Sequence, residues 1–104
     1  MKIVKGKLFS LLIGTYSFPV ITSDLSRAAV FYRIVFPDQE IKVSDIVHVE
    51  TFFYRSTMAE RFAEVKQHWK DMDLLQATPG TIKFNKNALD LLLESSEILL
   101  TNSR

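Results

Sequence analysis

The chain has 104 residues, of which 47% are hydrophobic and 24% charged, a composition that is too apolar for a disordered segment. Thirteen Lys and Arg balance twelve Asp and Glu, so the chain lacks the positive excess with which duplex DNA binders neutralise phosphates. The absence of cysteine excludes disulfides and thiolate metal sites. A chain of this size supports one hydrophobic core. We therefore expect a single, soluble domain over residues 1–104. An intracellular, cytoplasmic location is the default expectation, although a chain without cysteine is equally compatible with secretion.

The first apolar stretch, residues 8–13, follows three lysines as a signal peptide would, but it breaks at Gly14 and is too short to span a membrane. We predict no transmembrane segment here. Instead we predict a strand over residues 2–13, a turn at Gly14 and a second strand over residues 16–21. Pro19 cannot donate to a strand ladder, which predicts that the second strand lies at an edge.

Residues 24–36 allow two interpretations. Ser23 could cap a helix, because the apolar positions recur at helical spacing in Leu25, Ala28, Ala29, Tyr32 and Val35. The segment is also dense in β-branched and aromatic residues, which favour a pleated surface. We predict a strand and keep the helix as the alternative.

Residues 40–54 are predicted to be extended, with a break near Ser44. Beyond the break, alternation predicts one strand with two different faces. The first face is Ile46, His48, Glu50, Phe52 and Tyr54, and the second is Val47, Val49, Thr51 and Phe53.

Residues 43–50, with the sequence Val-Ser-Asp-Ile-Val-His-Val-Glu, resemble the strand–turn–strand passage of bacterial pleckstrin-homology-like domains. The resemblance implies a small β-rich binding module that is closed by a helix. The chain departs from that pattern where a long helix is predicted after this passage.

That helix is predicted over residues 57–75. Ser56-Thr57 with Glu60 matches a capping box. The apolar residues recur at alternating spacings of three and four, which predicts one continuous stripe along the helix: Met58, Phe62, Val65, Trp69 and Met72.

The helix should end at Thr78-Pro79-Gly80, followed by a short strand over residues 81–84. Asn87 is the predicted cap of a C-terminal helix that runs to about Leu100. Strands followed by helices indicate the α+β class. We therefore predict a mainly antiparallel sheet of four to five strands packed against the long helix, with the short strand and the C-terminal helix completing it.

Two polar groups of residues were considered as sites. His48 and Glu50 share the predicted face of one strand and could act as a proton-transfer pair, although a solvated sheet face is the simpler explanation. Glu64 and His68 lie one turn apart on the long helix, where they could bind a metal or form a weak surface pair. Asp71 lies on the same helical face as Glu64 and His68, and a metal site there would need a further ligand from elsewhere in the chain. For His48 and Glu50 the sequence assigns no third group.

The sequence also contains no Gly-rich phosphate loop and no nucleophile motif. We therefore assign no catalytic, cofactor-binding or metal-binding residue, and we expect that the chain is not an enzyme. Aromatic residues next to Arg33 and Arg55 are typical of a nucleic-acid stacking surface, but half of those rings must face the core of a strand.

The leucine-rich C-terminal helix is the remaining feature. Leu89, Leu92, Leu93 and Leu99 are candidate interface residues, and the alternative is that they fill the domain's own core. No motif determines the function. Our leading hypothesis is a small non-enzymatic module that binds a protein partner or itself as a homodimer. The alternatives are a ligand- or lipid-binding module, with a pocket between the sheet and the long helix, and a nucleic-acid-binding protein.

Overall fold

The computed structural model describes residues 6–75, 82 and 84–94. This part of the chain has the α+β class that the sequence predicts. In chain order it contains β1 (Gly6–Ile13), β2 (Tyr16–Thr22), α1 (Leu25–Val35), a 3-10 turn (Val43–Asp45), β3 (Ile46–Phe52), α2 (Arg55–Leu75) and α3 (Lys86–Glu94).

The strands of the described residues form an antiparallel sheet with the order β2-β1-β3, so that β1 is central. β1 and β2 are joined by a tight turn in which Gly14 has a φ of 60°, a left-handed conformation that glycine adopts without steric penalty. Pro19 lies in β2, at the edge of the sheet. The predicted turn and the predicted edge position are both confirmed.

Helix α1 shows that the strand predicted over residues 24–36 is wrong. The helix is capped by Asp24, not by Ser23, and the Asp24 side chain accepts a hydrogen bond of 2.9 Å from the backbone N–H of Arg27. The helix packs on the sheet along an apolar stripe. Burial of this stripe contributes more to stability than the preference of its β-branched and aromatic residues for a strand. The buried residues of this stripe are Ala28, Ala29, Phe31, Tyr32 and Val35.

The sheet of the described residues has three strands, where four to five were predicted. One reason is α1, and another is that Val43–Asp45 forms a 3-10 turn, so that pairing begins only at Ile46. The passage that resembles a pleckstrin-homology-like domain is therefore a turn followed by one strand. Ile82 and Phe84, in the predicted short strand, are not in a strand, and residues 81 and 83 lie outside the described residues.

β3 contains a bulge at Val49. Leu8 of β1 lies opposite Glu50, and the next residue, Phe9, lies opposite His48, so Val49 has no residue across from it. Neighbouring residues of β1 point to opposite faces of the sheet. The bulge therefore places His48 and Glu50 on opposite faces, and the simple alternation predicted for this strand is wrong.

Helix α2 confirms the long helix predicted over residues 57–75 and begins slightly earlier, at Arg55. The Thr57 hydroxyl donates to the Tyr54 carbonyl oxygen at 2.7 Å, whereas the predicted capping box requires a hydroxyl that accepts a hydrogen bond. The predicted apolar stripe is buried, and its members are Met58, Phe62, Val65, Trp69 and Met72.

Two side chains of α2 hydrogen-bond to the backbone of β2. The Trp69 Nε1–H donates to the Pro19 carbonyl oxygen at 2.8 Å, and the His68 Nε2 lies 3.1 Å from the Ser17 carbonyl oxygen. Unpaired backbone groups at a sheet edge are a template for aggregation, and covering them with a helix removes that template. α2 thus closes the β2 edge, and this contact positions Trp69.

Helix α3 begins at Lys86 and is capped by Asn85, not by the predicted Asn87. The Asn85 side chain accepts from the Ala88 N–H at 3.2 Å, and its backbone N–H donates to the Val35 carbonyl oxygen at 2.8 Å. The second bond ties the start of α3 to the end of α1. The predicted extension to Leu100 lies outside the described residues.

Tyr32 connects α1 to the sheet inside the core. Its hydroxyl donates to the Phe18 carbonyl oxygen, and the Phe9 carbonyl oxygen lies 3.4 Å away. Burial raises the pKa of Tyr32 well above its ordinary value, because the phenolate would lose its hydration. The side chain therefore stays neutral and joins a helix to two strands.

Candidate functional site

A groove of about 630 Å³ lies between α2 and α3, and we call it the α2–α3 groove. Binding sites usually have volumes of about 300–1,000 Å³ with a mostly apolar lining and a few polar groups, so the groove fits that description. Its floor is formed by Trp69, Phe84, Leu89 and Leu93. Its walls carry Lys66 and Lys70 from α2, and Lys86, Asp90 and Glu94 from α3.

The floor of the groove is rigid because Trp69 is held from several sides. The centroid of its ring system lies 5.3 Å from that of Phe18, 6.1 Å from that of Phe36 and 6.1 Å from that of Phe84. Aromatic pairs at such separations add about 0.5–1.5 kcal/mol each beyond their burial. The hydrogen bond to Pro19 fixes the indole further. A preorganised floor loses little entropy when a partner binds.

The two walls of the groove carry opposite charges. Lys66 and Lys70 are one turn apart on α2, and Asp90 and Glu94 are one turn apart on α3, so each pair lies along one side of its helix. Lys86 adds a positive charge at the start of α3. Within the described residues, no ion pair within 4.0 Å connects Lys66 or Lys70 of α2 with Asp90 or Glu94 of α3.

Sequence analysis did not identify this groove. The sequence does contain a pattern that points to it: Lys66 with Lys70, and Asp90 with Glu94, are like-charged pairs four residues apart, and each pair lies beside the apolar stripe of its helix. That the two helices face each other depends on the contact of α2 with the β2 edge and on the bond between Asn85 and Val35. Neither contact is visible in a sequence pattern.

A second concave surface, of about 350 Å³, lies between α1 and α3. Val30, Ile34 and Leu92 form its apolar part, with Asp24 and Arg27 at one end. Val30 is 53% exposed and Ile34 is 44% exposed, whereas Phe31, which also lines this surface, is buried. It has the character of a shallow apolar patch.

The structure separates His48 from Glu50. The Nε2 of His48 is hydrogen-bonded to Oγ1 of Thr51 at 2.8 Å, and the imidazole lies 5.6 Å from the Phe9 ring, centroid to centroid. Glu50, on the other face, lies 3.9 Å from Nη2 of Arg61. A direct proton transfer between these two side chains does not fit this arrangement.

Arg61 brings Glu50 and Glu64 together. Its guanidinium donates to Glu64 at 2.8 Å, and the hydrogen bond with Glu64 and the negative charges of Glu64 and Glu50 raise the pKa of Arg61 above its ordinary value. His68, one turn from Glu64, points to the Ser17 carbonyl oxygen instead. Within the described residues no group of three or more His, Cys, Asp or Glu side chains could hold a metal ion.

The leucines of α3 divide between the core and the surface. Leu89 is 3% exposed and Leu93 is 8% exposed, so both are buried within the chain while they also line the groove. Leu92 is half-buried beside α1, and Leu99 lies outside the described residues. Leu91, which sequence analysis did not select, is 66% exposed.

The aromatic residues considered for nucleic-acid stacking are likewise divided. Phe31, Tyr32 and Phe52 are buried, whereas Phe53 and Tyr54 are mostly exposed.

In the part of the chain that the structure covers, no helix is long and apolar enough to cross a membrane. Comparisons of the chain with protein-family models, with curated proteins and with solved structures gave no match.

Proposed function

We propose that this chain is a non-enzymatic protein-interaction module that binds an amphipathic helix of a partner in the α2–α3 groove. The observation that carries the proposal is a rigid apolar floor between two charged helical walls. An amphipathic helix buries its apolar ridge in such a groove and places its polar flanks against the walls.

The size of the groove supports a helical partner. α3 has 9 residues, and at about 1.5 Å per residue it gives a wall roughly 13 Å long. A helix of two to three turns has the same length and presents apolar side chains at positions i, i+3 or i+4, and i+7. The groove volume of about 630 Å³ accommodates a few such side chains.

The charges favour a helix over the alternative occupants. A fatty acid or a nucleic acid would bring negative charge against Lys66 and Lys70, but also close to Asp90 and Glu94 on the opposite wall. Like charges brought together in an interface are strongly unfavourable. A peptide can carry both signs, so a protein partner matches both walls.

The α2–α3 groove is also a better site than the surface between α1 and α3. The floor of the groove is fixed by the contacts of Trp69 with Phe18, Phe36 and Phe84. Two of the apolar side chains of the smaller surface, Val30 and Ile34, are exposed and must be ordered when a partner binds. We therefore assign the main site to the groove.

The test uses Trp69, the one tryptophan of the chain, as a fluorescent reporter in the groove floor. The probe is a synthetic amphipathic peptide with a leucine ridge and uncharged flanks. We expect saturable binding, and we expect Phe84→Ala to weaken it by about tenfold, because loss of an aromatic side chain from the contact surface removes 1 kcal/mol or more of binding free energy. The matched control is Phe53→Ala, the same change at a half-exposed ring outside the groove lining.

Several outcomes of this experiment would overturn the proposal. Equal affinity of the Phe84→Ala and Phe53→Ala variants would remove the groove as the binding site. Tighter binding of laurate or of oligo(dT) than of the peptide would assign the groove to a lipid or a nucleic acid. A dimer in sedimentation velocity that dissociates on Phe84→Ala would show a second copy of the chain as the occupant.

A further inference from the structure

The opposite charges of the two walls also carry information about the partner. We infer that the partner helix has acidic residues on one flank and basic residues on the other, and that this split fixes the direction in which the helix binds. The inference rests on the proposed function, because it concerns the occupant of the same groove. It adds the charge pattern and the polarity of that occupant.

The charged side chains of the groove are separated by sign between the two helices. Lys66 and Lys70 stand on the α2 wall, Asp90 and Glu94 stand on the α3 wall, and within the described residues no ion pair joins either lysine to either carboxylate. Charges within about 8 Å of each other are not fully screened at physiological salt. A helix seated between these walls therefore meets positive charge on one side and negative charge on the other.

A helix that lies in the groove presents a different flank to each wall. When the apolar ridge of the helix lies on the floor, one flank faces each wall. Reversing the helix end to end exchanges the two flanks. A helix with one acidic and one basic flank therefore has one favourable direction, in which its acidic flank meets Lys66 and Lys70.

Lys86 sets a limit to this separation of charge, because it places one positive charge at the start of the otherwise acidic α3 wall. The acidic pair lies further along α3, at Asp90 and Glu94. The basic flank of the partner should therefore lie beside this later part of α3. The groove should therefore select a partner helix by the positions of its charges along the groove, and not only by its net charge.

The experiment compares peptides that share one leucine ridge and differ in their flanks: split, both acidic and both basic. Trp69 fluorescence reports binding. At low salt we expect the split peptide to bind about tenfold more tightly than either other peptide, with the difference shrinking at high salt. Equal affinities for the three peptides would overturn the inference and leave the proposed function standing, whereas no binding by any peptide would overturn both.

A charge reversal tests the same point from the protein side. Lys70→Glu makes the α2 wall less basic, so the preference should move from the split peptide towards the both-basic peptide. Lys42→Glu is the matched control, because Lys42 is also exposed and lies outside the groove lining. The same shift of preference in both variants would show a general charge effect and would contradict the inference.

The direction of binding is read from a spin label at the N-terminus of the split peptide. We expect the label to broaden resonances at one end of the groove, and a peptide with exchanged flanks to broaden those at the other end with similar affinity. Broadening at both ends by one peptide would contradict a fixed direction.

The last control addresses the chain's own apolar residues after α3. If an outside partner fills the groove, Leu99→Asp in the full chain should change the affinity for the split peptide by less than about twofold. A gain of about tenfold would show that those residues occupy the groove themselves, and it would overturn an outside partner.

Discussion

A single hydrogen-bond acceptor sets the start of α1. Ser23 and Asp24 are both residue types that cap helices well, so the sequence offers two starting points. The structure selects Asp24, whose φ of −155° and ψ of 171° are extended and whose carboxylate accepts from Arg27. The Thr22 hydroxyl donates to the Asp24 carbonyl oxygen at 2.7 Å and supports this arrangement.

Replacing each of these two residues by alanine tests the cap. We expect Asp24→Ala to lower the free energy of unfolding by about 1 kcal/mol, because the N–H of Arg27 loses its acceptor. Ser23→Ala should be neutral or slightly stabilising, since the buried Ser23 hydroxyl has no hydrogen-bond partner in the described part of the chain. Urea denaturation of both variants measures the difference, and a larger loss for Ser23→Ala would contradict the observed cap.

The polar pair on β3 shows what one inserted residue does to a sequence pattern. Alternation alone puts His48 and Glu50 on the same face, and the bulge at Val49 puts them on opposite faces. A bulge depends on the register between two strands that are distant in the sequence. The local sequence of residues 46–52 therefore does not predict the bulge.

At the scale of elements, α2 was predicted correctly because its apolar stripe is long and strictly periodic. α1 was not, because its segment carries two competing signals: a helical stripe and a high content of residues that favour strands. Tertiary burial decided in favour of the stripe, which faces the sheet with Tyr32 and Val35 fully buried. Local composition likewise predicts an extended segment before the break near Ser44, and Val43–Asp45 forms a 3-10 turn instead.

Two alanine substitutions in α1 separate the helix from the strand. In a strand, Ile34 would share a face with the buried Tyr32, whereas in α1 it is 44% exposed and Val35 is 0% exposed. We expect Val35→Ala to lower the free energy of unfolding by about 2 kcal/mol and Ile34→Ala by roughly 0.5 kcal/mol or less. Chemical denaturation gives both values, and the reverse order would exclude the helix.

At the scale of the whole molecule, the class of the fold and its helix-covered sheet followed from the sequence, but the candidate site did not. The α2–α3 groove exists because α2 closes the β2 edge through Trp69 and because Asn85 docks α3 at the end of α1. Both contacts join residues that are far apart in the sequence. The sequence therefore shows each charged pair and the apolar stripe beside it, but it does not predict that the two helices bring them together on one surface.

The α2–α3 groove, and not the apolar surface between α1 and α3, is the site that we propose for a partner helix. Titration of the ¹⁵N-labelled chain with the leucine-ridge peptide, followed by amide chemical shifts, distinguishes the two surfaces. We expect saturable shifts at Lys66, Lys70 and residues 84–94, and none at the exposed positions Val30 and Ile34. Shifts centred on Val30 and Ile34, or the absence of saturable shifts at the groove, would contradict the account.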